Sequence, residues 1–236
     1  MEKLYGNISE NLKRIQFEIN ESIQRYGRGQ DSVKLMAVTK TIPPQAVNEA
    51  ISLGVDLLGE SKAQELQAKY ASYNKKGVEI HFIGHLQSNK VRQVIDKISM
   101  IESVDSVSLA REIDKQAQKN SSKMDVLIEV NIGGEASKFG VSPQHLEALL
   151  TEISSLPNTR VKGLMTIPPF SDDILQTEKY FSDMRELFVD IRGKNIDNVS
   201  MDVLSMGMSG DYKEAIKHGS NIIRIGTALF GTRDYS

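Results

Sequence analysis

Eight short apolar or β-branched runs alternate with stretches of helical period through about 200 residues of this 236-residue chain, and that alternation constrains the fold most. The runs are Lys34–Thr39, Val55–Gly59, Ile80–Gly84, Ile98–Ser103, Val126–Asn131, Arg160–Thr166, Val199–Leu204 and Ile222–Ile225. Helical stretches lie near 45–53, 61–72, 88–96, 106–119, 143–155, 173–192 and 211–218. Val126-Leu127-Ile128 and Ile222-Ile223 are continuous apolar runs, as in parallel strands buried on both faces. Ahead of them Leu4, Ile8, Leu12, Ile15, Ile19 and Ile23 recur at steps of three and four, an amphipathic helix stopped by Gly27 and Gly29. The expectation is a single α/β domain over residues 1–236, a (β/α)8 barrel of TIM type with an extra N-terminal helix. A doubly wound open sheet is the alternative, but it usually has fewer strands, and the glycine fingerprint of its dinucleotide-binding version is missing.

Composition removes several classes of function. Lys and Arg number 29 and Asp and Glu 31, a formal net charge of −2, so nothing draws the chain globally to nucleic acid or anionic lipid. With no cysteine there is no disulfide, thiolate nucleophile, Cys-bound zinc or iron–sulfur cluster. The polar N-terminus has no apolar signal core, and no run approaches the roughly 18–20 residues of a membrane span. The cytoplasm is the expected compartment.

Barrel chemistry sits at the C-terminal ends of strands and in the loops that follow. Lys40 closes the first run, where alternation puts it on one side with Met36 and Val38 and opposite Leu35, Ala37 and Thr39. An amine at that polar–apolar boundary is partly desolvated, which favours its neutral, nucleophilic form. After the seventh run comes Ser205-Met-Gly-Met-Ser-Gly-Asp211, and after the eighth Arg224-Ile-Gly-Thr227. These are the loops where barrels hold phosphate on backbone amides, so Ser209, Gly226 and Thr227 are the candidate phosphate ligands. Asp211 and Glu214 have the spacing of a helix cap. The glycine-rich segment Asn131–Gly140 is expected to be a mobile loop over the mouth.

Other patterns carry less. Gly226 and Gly231 have P-loop spacing, but Thr232 and Arg233 stand where Lys and Ser or Thr are required. His81 and His85 flank a strand rather than sharing a helix face, so no zinc motif forms. Thr-Ile-Pro-Pro occurs twice, at Thr41–Pro44 and Thr166–Pro169, as turns following strands.

Five segments in order, Ala37-Val-Thr-Lys-Thr41, His81-Phe-Ile-Gly-His-Leu-Gln-Ser-Asn-Lys90, Gly163-Leu-Met165, Ser205-Met-Gly-Met-Ser209 and Arg224-Ile-Gly-Thr227, closely resemble the pyridoxal phosphate homeostasis protein family. The resemblance implies the barrel of the alanine racemase N-terminal domain and pyridoxal 5′-phosphate (PLP) as cofactor. It implies that Lys40 forms an aldimine with PLP, that Ser209, Gly226 and Thr227 hold the phosphate, and that Arg224 faces the pyridine nitrogen. Met165, Met206 and Ser205 match positions near the cofactor. Where the family usually reads Gly-Glu-Asn this chain has Gly59-Glu60-Ser61, replacing an amide by a hydroxyl.

The implied role is a carrier or buffer of PLP in vitamin B6 homeostasis with little or no turnover. Apo PLP-dependent enzymes are its expected partners, and a monomer its expected state with a dimer left open. The alternatives are an amino-acid racemase of the same fold and a cofactor-free aldolase using Lys40. Racemases of this fold take a second catalytic tyrosine from an added C-terminal domain of a partner subunit. Here the sequence stops at Ser236, and neither Tyr212 nor Tyr235 has an evident compensating position.

Overall fold

The structure, a computed structural model, describes residues 7–29, 32–135 and 137–231. Leu4, Thr232, Arg233 and Tyr235 lie outside them.

Eight parallel strands close into a barrel in sequence order. They are β1 (Lys34–Val38), β2 (Leu57–Glu60), β3 (Glu79–Phe82), β4 (Met100–Val104), β5 (Met124–Glu129), β6 (Thr159–Met165), β7 (Val199–Met208) and β8 (Ile222–Ile225). Closure is made by β1 against β8, with Lys34 opposite Ile222 and Ala37 opposite Ile225. The helices are α1 (Ile8–Arg25), α2 (Pro44–Ser52), α3 (Ala63–Lys69), α4 (Val91–Val94), α5 (Val107–Lys119), α6 (Leu146–Ser154), α7 (Ile174–Lys194), α8 (Tyr212–Lys217) and α9 (Thr227–Phe230). Each of the eight expected strands is present. No helix of the described residues is long and apolar enough to cross a membrane.

The strand period decides what faces inward. On β1, Met36 packs with Leu57, Ile83 and Ile222 inside the barrel, while Ala37 joins the core between sheet and helices. On β5, Leu127 packs inward with Met100 and Met165, while Val126 and Ile128 face the helix layer. Gly59 faces Met36 and Ile83 so closely that a Cβ would lie 2.6 Å from Met36 Sδ. Outside, α1 buries Ile8, Leu12, Ile15, Ile19 and Ile23 against α2, α8 and α9. Full burial of such a side chain contributes about 1.5–3 kcal/mol. Asn7 caps this helix through Glu10 N, and Asn11 Nδ2 donates to Leu229 O at 3.0 Å, fastening α1 beside the end of the last βα unit.

β7 runs four residues further than the sequence pattern indicates. Gly207 and Ser209 give Ser205-Met-Gly-Met-Ser209 the look of a loop, yet the strand continues with Gly207 at φ 94°. A Cβ at Gly207 would meet Ala215 Cβ at 2.5 Å, so glycine lets the strand end pass close over α8. Asp211 precedes α8 but its side chain does not cap it; Oδ1 instead accepts from Met208 N at 2.6 Å and folds the β7–α8 turn.

Candidate functional site at the barrel mouth

The C-terminal ends of β1, β2, β3, β7 and β8 enclose a cavity of about 380 Å³ whose lining includes Lys40, Ser61, Ile83, Ser209, Arg224, Gly226 and Thr227. Small-molecule sites span about 300–1,000 Å³. A larger depression of about 600 Å³ opens at the other end of the barrel beside Lys75, Glu79 and Lys97. There Lys75 Nζ donates to Tyr70 O at 2.8 Å and Lys97 Nζ to Asp96 Oδ1 at 2.6 Å, so those cations are already engaged. The mouth, where barrel chemistry resides, is therefore the candidate site.

Lys40 is held by its neighbours on both sides. Thr39 N and Oγ1 both donate to Gly59 O, at 3.0 and 3.2 Å. Thr41 N donates to Glu65 Oε2 at 2.8 Å, and Lys69 Nζ bridges that same oxygen at 2.8 Å and Thr39 O at 3.0 Å. Burial pulls Glu65 upward, but Lys69 and the Thr41 amide overcome it and keep the carboxyl below its ordinary value. The Lys40 amine itself has no hydrogen bond or ion pair among the described residues, and it faces the cavity.

Opposite, Ser209 Oγ accepts from Gly226 N at 3.3 Å and Ala228 N at 3.2 Å. This ties the two phosphate-type loops together and leaves the Ser209 hydroxyl hydrogen free to donate outward. Arg224, at the end of β8, is 3% exposed. Its Nη1 donates to Ser205 Oγ at 2.8 Å and its Nη2 to Thr166 O at 2.7 Å. A guanidinium has five N–H groups, so donors remain on the side lining the cavity.

Lys40, Ser209, Arg224, Gly226 and Thr227 thus line one cavity. Ser205 and Met165 lie beneath it, the first holding Arg224 and the second packed with Met100 and Leu127. Met206 is a correction: alternation along β7 turns it outward, into the core between sheet and helices, so it does not approach the cavity. The Asn131–Gly140 segment is fastened rather than loose in its described parts. Val130 and Val141 form a bridge, Asn131 Nδ2 donates to Glu135 O and Lys138 O, and Phe139 stacks on His85 at 3.7 Å.

What sequence reasoning missed is inside the barrel. His81, which makes no zinc motif, lies 2.7 Å from Glu102, which in turn accepts from Ser205. The available signal was parity: His81 falls on the inward face of β3 and Glu102 on that of β4, next to expected apolar positions. Among the described residues no group of three or more His, Asp or Glu is placed to hold a metal ion.

The alanine racemase N-terminal domain model matches residues 11–234. A pyridoxal phosphate homeostasis protein from Aquifex aeolicus is 43% identical, covering 97% of this chain and all of that one. The chain belongs to the pyridoxal phosphate homeostasis protein family. A further family member, from Escherichia coli K12, is 38% identical over 98% of this chain and 99% of its own. The structure of PipY from Synechococcus elongatus with PLP bound superposes with a TM-score of 0.83 at 30% identity, covering 95% of this chain and all of PipY. An alanine racemase from Corynebacterium glutamicum matches at 18% identity and a TM-score of 0.66, covering 97% of this chain but 61% of the racemase, and shares the barrel fold.

Proposed function

We propose that this protein binds PLP in the mouth cavity as an aldimine on Lys40 and serves as a cytoplasmic carrier or buffer of the cofactor, with apo PLP-dependent enzymes as recipients. One observation carries the reading. A lysine amine unengaged among the described residues, a pair of loops clasped at Ser209, and a buried arginine with donors to spare all open on the same cavity. PLP offers a group for each: an aldehyde for the amine, a phosphate for the amides and hydroxyls, and a ring nitrogen for the guanidinium. When bound, the cofactor supplies the electrophile, and the chain supplies position and charge. Lys40 is presented by the grip on Thr39 and Thr41. Amides and hydroxyls around Ser209, Gly226 and Thr227 hold the phosphate mostly without side-chain cations, with Gly226, whose N–H holds Ser209 Oγ, leaving room for close approach. Ser61 offers a hydroxyl on the cavity wall.

The test is the absorption spectrum of the purified protein with PLP, before and after borohydride, with the reduced label mapped by peptide analysis. A protonated aldimine absorbing at the visible edge, fixed on the peptide containing Lys40 and lost in Lys40→Ala, is the expected result. A label mapping mainly to another lysine, such as Lys90, rejects the assignment. A phosphate site without any chromophore points to the aldolase alternative.

A further inference from the structure

Beneath the cavity a line of polar groups crosses the barrel interior. His81 Nδ1 is 2.7 Å from Glu102 Oε1, Ser205 Oγ donates to Glu102 Oε2 at 2.6 Å, and Arg224 Nη1 donates to Ser205 Oγ at 2.8 Å. The four side chains come from β3, β4, β7 and β8, and each is at most 3% exposed. Their inward neighbours Met36, Leu57, Met100 and Leu127 are apolar. A buried ionic set is a poor source of stability, because well-packed apolar side chains of similar volume commonly do as well or better. Packing therefore gives no reason for His81 and Glu102 to occupy the centre of the barrel.

Hydrogen-bond directions give one. An ionised carboxylate only accepts, so the single Ser205 proton is committed to Glu102. Ser205 then has only lone pairs for Arg224, which only donates. With Nη2 anchored on Thr166 O, both terminal nitrogens are oriented and the guanidinium has one orientation at the cavity floor. Glu102 remains ionised despite full burial because His81 and Arg224 hold its carboxyl below the ordinary range. Burial pushes the His81 imidazole down, but the Glu102 hydrogen bond and the Glu79 and Glu102 charges outweigh it and raise it to about 9. The charged groups around the line are Glu79 and Glu102 at His81, and Glu102, Asp211 and Glu129 at Arg224.

We propose that His81 and Glu102 are positioning residues that fix Arg224 toward the ring nitrogen of bound PLP and couple the charge state of His81 to the electronic state of the cofactor. The inference rests on the PLP reading. While His81 is protonated, Glu102 is shared between two cations. Once His81 loses its proton, the whole carboxylate charge acts on Ser205 and Arg224, and the potential at the ring becomes more negative.

The experiment compares wild type with His81→Asn, which keeps a donor and removes the charge, and Glu102→Gln. Three quantities are read: PLP affinity, the absorption band of bound PLP from pH 6 to 10, and the His81 imidazole titration by NMR in the PLP complex. Wild type is expected to show a spectral component whose midpoint coincides with the imidazole titration. His81→Asn should lose that component and bind PLP about tenfold more weakly, the effect of exchanging the charge-assisted hydrogen bond to Glu102 for a neutral one. If Glu102→Gln or His81→Asn does not fold, the wild-type comparison still decides, since a spectral midpoint more than about one pH unit from the imidazole midpoint overturns the coupling. A variant profile superimposable on wild type overturns it too. Failure of wild type to bind PLP sinks the parent reading and this inference with it, whereas binding with an unmoved profile sinks this inference alone.

Discussion

The backbone N–H of Thr41 donates to Glu65 Oε2 at 2.8 Å from a left-handed conformation, φ 64°. A β-branched residue is rarely found there, and such a conformation costs of order 1–3 kcal/mol. The surrounding contacts hold it: Thr41 Oγ1 donates to Lys40 O at 2.6 Å, and Lys69 steadies the Glu65 carboxylate. The strained turn fixes the backbone from which Lys40 projects. Glu65→Ala is therefore expected to cost about 1.5–3 kcal/mol in chemical unfolding, the range for a lost hydrogen bond to a charged group. It should also weaken PLP binding, measured by titration of the visible-edge band. Thr41→Gly relieves the strain while keeping the N–H, and should leave stability equal or higher. An unaltered PLP affinity in Glu65→Ala would show that the turn does not aim the amine.

The phosphate side makes a separate test. Thr227→Val removes one hydroxyl at the exposed start of α9, and is expected to cost about 1.5–3 kcal/mol of PLP binding. A bulky residue at Gly226 should block the approach of the phosphate and weaken binding strongly. Pyridoxal, lacking the phosphate, should bind far more weakly than PLP. Unchanged affinity in both variants moves the phosphate elsewhere.

Glu129 gives the clearest pH dependence. It points inward at the end of β5, is 8% exposed and has no hydrogen-bond partner for its side chain among the described residues. Burial and the neighbouring Asp105 raise its carboxyl to about 7, against the pull of Arg224. A raised acid makes the folded state bind the extra proton, so its stability contribution is present at low pH and lost as pH rises through 7. Glu129→Gln should be more stable than wild type at pH 8, by up to about 3 kcal/mol. The advantage should fade toward pH 5. His81 acts in the same direction at higher pH: its contribution is full below about 6.5 and lost as pH rises through about 9. Urea unfolding at pH 5, 8 and 9.5 measures both, and equal stabilities of Glu129→Gln and wild type at pH 8 would contradict the first.

How much of this was legible in the sequence depends on which interaction carries the information. Runs such as Val126-Leu127-Ile128 announce buried parallel strands because burial on both faces leaves a local signature, and the eight-strand barrel follows from their number. Lys40, Ser209, Gly226 and Thr227 stand out as candidates in the sequence because the fold fixes which loops matter, and they line one cavity. Met206 was misplaced because family position does not give side-chain parity. The Asp211–Glu214 spacing does not distinguish a side-chain helix cap from a turn that folds Asp211 back onto Met208. The His81–Glu102–Ser205 line was invisible for a different reason. Its members are 21 and 103 residues apart, and only closure of the barrel brings them within hydrogen-bond distance.

Racemisation of amino acids is expected to be absent or very slow. The reaction needs the cofactor to stabilise a carbanion and an acid or base on each face of the Cα. Lys40 can serve one face. On the others the cavity presents Val38, Ser61, Ile83, Ile167 and Met208, none of which exchanges a proton readily near neutrality. No tyrosine or histidine lines it among the described residues; the Tyr212 hydroxyl is bonded to Glu18 on α1, outside the barrel. If Arg224 faces the ring nitrogen of bound PLP, as proposed, it would keep that nitrogen unprotonated and make the ring a weaker electron sink. A missing positioned acid or base typically costs about 10²–10⁴ in rate. The measurement is exchange of the Cα hydrogen with deuterium over a panel of L- and D-amino acids, run beside transfer of PLP to an apo-enzyme. Efficient transfer with negligible exchange fits the carrier reading, and fast inversion of any one amino acid would place the protein among the racemases instead.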